Sequence, residues 1–356
     1  MTPVPSPDST KVAASGRRLL AAPDSFKGTA SASEVAAAVA GAASELGWDT
    51  DECPLSDGGE GFLEIFARGG GELRRSVVTG PLGHPVQAEW RMVGDLAVVE
   101  SARASGLVAA GGAEHNDPVA ATSRGTGELV AAAVGAGAMR VIVGVGGSAM
   151  TDGGLGALEA IDEAGGLGGA EVLVACDVKV RFVEAARVFG PQKGASPVQV
   201  DLLEDRLKAL ANRYRRRGVD LTDLPGAGAA GGLAGGLVVA GARIERGFDL
   251  VAGLLDLRSR IREADLVITG EGAFDATSFE GKVVSGVAGL AAESATEVVV
   301  IAGRIDEEAL RHRERYRAVS EAVDLTERFG RDRAMTQPAT CVATATGSIL
   351  SNRVPR

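Results

Sequence analysis

Short runs of Val, Ile, Leu and Ala, each closed by Gly, Pro or a carboxylate and separated by longer helical stretches, set the pattern of this chain. RRLLAA reads as a strand from Arg17 to Ala22 that stops at Pro23. SASEVAAAVAGAASELG reads as a helix capped by Ser31 or Ser33 and closed near Gly47. WDTDECPL is a second strand, followed by SDGGEG and the helical FLEIFARGG. MRVIVGV, AEVLVACDV, ADLVITGEG and TEVVVIAGR are further apolar strands. SRGTGELVAAAVGAG, LGALEAIDEAG and the charged VQVDLLEDRLKALANRYRRRG are helices between them. Continuous apolar strands alternating with helices predict a parallel sheet covered on both faces.

From Ser76 the period changes. SVVTG, VQAEWRMV and DLAVVES are short strands joined by Gly and Pro turns, with no long helix between them. The expected fold class is therefore α/β: a parallel Rossmann-like sheet covered by helices, with a second α/β domain inserted in it. The expected limits are 17–75 plus 256–356 for the discontinuous main domain and 76–255 for the insert. Residues 1–16 are Pro/Ser-rich and lack the apolar core of a signal peptide, so they read as a disordered tail. ERFGRDRAMTQPATCVATATGSIL reads as one closing helix, which offers a docking or homodimer surface.

Composition narrows the chemistry. Gly occurs 50 times in 356 residues, clustered in short runs without a repeat, as tight turns and close backbone–ligand approaches require. The net charge of −10 argues against nucleic acid as the main partner, although a Mg²⁺-nucleotide enzyme can carry it. Cys53, Cys176 and Cys341 have no paired spacing, which fits a reducing cytoplasm. His84, His115 and His312 are scattered, which leaves a His metal site or a catalytic triad without support. No apolar run approaches the ~20 residues of a membrane span, so no membrane partner is expected.

Ligands of open parallel sheets bind beyond the carboxyl ends of the strands. In this chain the residues at those ends are of the same few types. After RLLAA come Asp24, Ser25 and Lys27; after the second strand come Asp57, Gly58 and Gly59; after VIVGV come Gly146, Gly147, Ser148 and Asp152. VLVA leads to Asp177, and LVIT to Glu271 and Asp275. Glycine turns, carboxylates and one Lys at successive strand ends point to phosphoryl transfer, in which amides and Lys position phosphates and carboxylates hold Mg²⁺. The GGSAMTDGG loop opens a helix and can receive an anion. Lys27 is either a point charge on phosphate or a solvated side chain. Asp24 and Asp57 are either ligand contacts or helix N-caps. Asp177 and Asp275 are candidates for Mg²⁺ ligation or for taking the proton of an acceptor hydroxyl. GAGAAGGLAGG serves either a ligand or close helix packing, and RYRRR at 213–217 is a solvated helix end.

Walker A and protein-kinase signatures are absent. Gly144-x-Gly146-x-x-Ala149 and Gly226-x-Gly228-x-x-Gly231 imitate a dinucleotide fingerprint, which keeps an NAD-binding oxidoreductase as the enzyme alternative. The first lacks the later acid, and the second lacks a preceding strand.

APDSFKG (22–28), SDGGEGF (56–62), TGPLGHPVQAEW (79–90), TSRGTGEL (122–129), GVGGSAMTDGG (144–154), ACDV (175–178), VFGPQKGA (188–195), GAGAAGGLAGGL (226–237) and ADLVITGEG (264–272), followed by Asp275 and Lys282, resemble in this order the bacterial glycerate kinase family. The resemblance spans roughly residues 17–305, and its specific parts are PDSFKG and VFGPQKGA. It implies a two-domain α/β enzyme that phosphorylates D-glycerate, at the 2- or 3-hydroxyl, or a closely related small hydroxy acid, with ATP in a cleft between domains. Carried onto matching positions, it marks Lys27, Asp57, Ser148, Asp152, Asp177, Lys193, Glu271, Asp275 and Lys282. Asp177 or Asp275 then activates the acceptor, and Lys27 and Lys193 meet phosphate or carboxylate. Three departures make this a divergent member. Ala273 stands where the family carries Arg, KVRFVEAAR replaces a loop about three residues longer that carries Asn-Pro-Leu, and Thr151 stands where Asn is common. Arg103, Arg181 or Arg187 are the expected substitutes for the missing guanidinium. A non-catalytic ligand-binding paralogue is the alternative from another class.

Overall fold

The computed structural model describes residues 16–353 except 27, 60, 68–69, 276–277, 279–281, 308 and 310–317. The tail expected over 1–16 lies, apart from Gly16, outside the described residues, as does Lys27. The described strands are β1 Arg18–Ala21, β2 Asp49–Glu52, β3 Glu72–Thr79, β4 Pro85–Val93, β5 Leu96–Glu100, β6 Arg140–Gly144, β7 Glu171–Ala175, β8 Arg243–Glu245, β9 Leu266–Phe274, β10 Glu297–Ile305 and β11 Val319–Asp324.

They form two sheets. The first has the order β11-β10-β9-β1-β2 and is parallel throughout. The second has the order β3-β4-β5-β6-β7-β8, antiparallel from β3 to β5 and parallel from β5 to β8. The first sheet thus draws on both ends of the chain and the second on its middle. β3 begins at Glu72, before the boundary expected at 76.

Alternation within each strand assigns the layers. In β1, Leu19 and Ala21 face the helices Ala32–Ser44 and Pro338–Ser351, where Val35, Val39, Val342 and Ile349 complete one core. Leu20 faces the opposite way, into a core shared with Phe248, Val284 and Val287. That core also contains Val98, Ile142 and Leu173 of the second sheet, so one apolar layer joins the two sheets. Val99, Val141, Val143 and Val174 pack on the other side against Leu129, Ile161 and Leu233.

Local chemistry fixes the helix starts. Ser31 and Glu34 form a capping box, and so do Ser196 and Gln199 before the helix Pro197–Arg216. Leu203, Leu207, Leu210 and Tyr214 give that helix its buried stripe. Its RYRRR end is held at the surface by the pairs Arg215–Asp220 and Arg217–Asp162. The glycine run 226–236 serves mainly for close packing: a Cβ on Gly236 would lie 2.6 Å from the Cα of Gly154.

One expectation fails at this level, one strand went unmarked and one open alternative is closed. The closing helix is three helices, Leu325–Phe329, Arg331–Thr336 and Pro338–Ser351, because Gly330 leaves the helical region at φ +83° and Pro338 cannot continue the preceding turn. β11 lies in a segment without a continuous apolar run, and the sequence did not mark it. Neither Asp24 nor Asp57 caps a helix, since Ser31 and Gly61 hold those positions.

Candidate active site

The connection from β1 to β2 runs to one side of the first sheet, and the connections from β9 to β10 and β11 run to the other. The chain order therefore reverses between β1 and β9, and a crevice is expected beyond their carboxyl ends. A cavity of about 690 Å³ lies there. Asp24 and Ser25 enter it from β1, Glu271, Ala273 and Asp275 from β9, and Lys282 from the start of the helix Val283–Ser294. Asp24 Oδ1 accepts the Ser25 amide at 2.6 Å, which shapes the turn after Pro23.

A second cavity, about 530 Å³, opens beyond β6 and β7 of the other sheet. Gly146, Gly147 and Ser148 line it, together with Asp57, Gly58, Gly59, Asp177 and Lys193. Gly58 is left-handed (φ +91°), and a Cβ there would lie 2.8 Å from the Ala175 carbonyl. Only glycine lets the Asp57 loop, which begins in the first sheet, reach the end of β7. Leu55 N donates to Pro23 O at 2.9 Å, so the loops leaving β1 and β2 run side by side and the two cavities flank them.

Two charged groups in the second cavity are perturbed. Burial, and next the neighbouring Asp57 charge, push the Asp177 carboxyl up to about 7. Its side chain is 8% exposed; Oδ2 accepts the Phe248 amide at 3.2 Å, and Oδ1 has Arg246 Nε at 3.9 Å but no hydrogen bond. Lys193 is 2% exposed, and burial brings its ammonium down to about 7. Its Nζ donates to Ser148 Oγ at 2.9 Å and to Met150 O at 2.5 Å, and among the described residues no carboxylate pairs with it. The Asp152 charge acts on it only from beyond ion-pair distance, and a buried cation so weakly compensated is costly unless a ligand supplies a nearer charge.

The candidate residues thus fall into two clusters: Asp24, Ser25, Glu271, Asp275 and Lys282 in one, Asp57 to Gly59, Gly146 to Ser148, Asp177 and Lys193 in the other. Asp152 joins neither. Its Oδ2 accepts the Ser123 amide at 2.8 Å and hydroxyl at 2.7 Å, and its Oδ1 accepts the Gly154 amide at 3.0 Å, tying two helix starts together. Two of the three substitutes expected for the missing Arg are engaged elsewhere. Arg103 pairs with Glu64, Glu89 and Glu100, and Arg187 with Asp201 and Glu204; Arg181 lines neither cavity. Arg304 and Arg331 line the first cavity instead, and Arg304 is the register partner of Ala273 on the adjacent strand. Arg304 closes AGR after a predicted strand, so the strand-end rule could have found it; Arg331 carried no such signal.

Among the described residues no group of three or more His, Cys, Asp or Glu is placed to hold a metal. Single or paired carboxylates suit Mg²⁺, which takes one or two of them and fills its shell with phosphate oxygens and water. Among the described residues no helix is long and apolar enough to cross a membrane.

The family model described as the glycerate kinase family matches residues 19–165 and 161–352. The chain is 40% identical over 329 residues to the glycerate 2-kinase of Escherichia coli K12, covering 82% of this chain and 86% of that one. It is 39% identical over 330 residues to the glycerate kinase of Bacillus subtilis 168, covering 82% and 86%. A crystal structure of a Salmonella typhimurium LT2 protein, provisionally named glycerate kinase 2, superposes with a TM-score of 0.76 at 32% identity, over 95% of this chain and 99% of that one. With the family model spanning both sheets and these relatives matching over most of their length, the chain belongs to the glycerate kinase family of enzymes.

Proposed function

We propose that this enzyme transfers the γ-phosphoryl group of ATP to a hydroxyl of D-glycerate, giving 2- or 3-phosphoglycerate, in a nucleotide-rich cytoplasm. The observation that supports this reading best is the second cavity. There a buried lysine, with no carboxylate in ion-pair contact among the described residues, shares glycine-lined space with an unusually basic carboxyl. A small hydroxy acid complements both: its carboxylate meets Lys193 and Ser148, and its hydroxyl meets Asp177.

In this reading Asp177 accepts the hydroxyl proton as the oxygen attacks phosphorus. A pKa near 7 suits that task, because the group is substantially ionised near neutrality yet still basic enough to take a proton. Gly146 and Gly147 line the path of the phosphoryl group, while the Gly58 and Gly59 amides hold their own loop through Ser56 Oγ and Asp57 Oδ1. Asp275 is assigned as the Mg²⁺ ligand, with Lys27 and Lys282 on phosphate. When bound, Mg²⁺ supplies charge neutralisation on the phosphate oxygens. Enzyme-coupled ADP release with D-glycerate, ATP and Mg²⁺ tests the reading. Turnover dependent on all three supports it, whereas folded protein that binds D-glycerate and ATP without turnover identifies the non-catalytic paralogue instead.

A further inference from the structure

The two cavities differ in what they can hold. The first straddles the point where strand order reverses in a parallel sheet, and it is the larger, at about 690 Å³ against 530 Å³. Its charged lining is mixed: Lys282, Arg304 and Arg331 against Asp24, Glu271 and Asp275. A nucleoside triphosphate with its divalent cation needs both signs, cations for the polyphosphate and carboxylates for the metal. Arg304 is 62% exposed and pairs with its own neighbour Asp306 at 3.2 Å, so its guanidinium can turn to a phosphate at little cost.

The second cavity offers one cation, Lys193, against the carboxylates Asp57 and Asp177. That balance repels a polyanion. One ammonium hydrogen-bonded to Ser148 matches a single carboxylate. The cavities flank the same pair of loops, after β1 and β2, so ligands in both would face each other across Asp24 and Asp57.

We propose that the two reactants bind in different sheets: the nucleoside triphosphate in the switch-point cavity, gripped by Arg304 and Arg331 beside Ala273, and the hydroxy acid in the Lys193–Ser148 cavity. This rests on the kinase reading above and adds an address for each reactant. Arg304 supplies, from β10, the guanidinium that position 273 of β9 does not carry; the two positions are register partners.

The test is isothermal titration with a non-hydrolysable ATP analogue plus Mg²⁺, and separately with D-glycerate, after turnover of the unaltered enzyme has been measured. The double variant Arg304→Ala/Arg331→Ala is expected to weaken the analogue at least tenfold and to leave D-glycerate within twofold. Lys193→Met is expected to do the reverse. Adding Ala273→Arg to Arg304→Ala should recover part of the lost analogue affinity. The opposite pattern, or loss of both ligands on altering one cavity alone, overturns the division while leaving the kinase reading intact. If the unaltered enzyme turns over neither reactant and binds neither, the kinase reading falls and the division with it.

Discussion

Replacing Lys193 by Met should make the protein more stable and useless to its substrate. The ammonium, at 10.5 in water, is brought to about 7 by burial. A difference of roughly 3.5 units corresponds to about 5 kcal/mol at neutral pH, spent on burying the group. Met fills nearly the same volume without a charge. The change also removes the donor to Ser148 Oγ and Met150 O, which costs about 1–3 kcal/mol. The expected net gain is about 2–4 kcal/mol at pH 7. The sign of the pH dependence comes from the lowered pKa. Between about 7 and 10.5 the unfolded chain holds a proton that the folded chain does not, so the parent gains stability as pH rises through that window. The advantage of Met should therefore shrink from pH 7 to pH 9.5. Guanidinium unfolding of both proteins at the two pH values measures it. A variant less stable than the parent at pH 7, or a difference that does not change with pH, would refute the claim that Lys193 is a strained, functionally retained cation.

The same geometry sets further outcomes. Asp177→Asn should cut kcat more than ~100-fold in the coupled ADP-release assay, with D-glycerate affinity changed far less, since the amide keeps the shape and loses the base. The pH profile of kcat/KM should rise toward about 7 as Asp177 ionises and fall above about 7 as Lys193 loses its proton. In the profile of kcat the alkaline limb should move up, because a bound anion holds the Lys193 proton. Gly58→Ala, forced against Ala175 at positive φ, should lower activity at least tenfold and reduce the melting temperature by several degrees in calorimetry. Asp152→Ala should destabilise the fold by about 2–4 kcal/mol in denaturant titration, since three amide or hydroxyl donors lose their acceptor.

The sequence was informative where burial is two-sided and local. β6, β7, β9 and β10 announce themselves as apolar runs because both their faces are covered. Edge strands do not: β8 has no buried position, β11 mixes exposed and buried ones, and ELRR of β3 is mostly polar. The rule that ligands gather at strand ends found the five carboxylates that line the two cavities, Asp24, Asp57, Asp177, Glu271 and Asp275, and missed their cations. It could not separate the two cavities, because membership of a sheet is decided by pairings such as Leu19 with Leu266, far apart in the chain. Asp152 stays out of both cavities for a similar reason. Ser123, 29 residues away, takes its Oδ2 and Gly154 its Oδ1, and spacing alone does not reveal the first. Ala273 stands where the resemblance places an arginine, and its neighbour Arg304 became visible only through the register of β9 on β10.

The central claim is that this chain catalyses phosphoryl transfer to a small hydroxy acid. Its most direct test is ADP release by the purified protein with ATP, Mg²⁺ and a panel of hydroxy acids headed by D-glycerate. The expected result is turnover with D-glycerate that disappears in Asp177→Asn and Lys193→Met. Well-folded protein that releases no ADP above its acceptor-free rate with any member of the panel would contradict it.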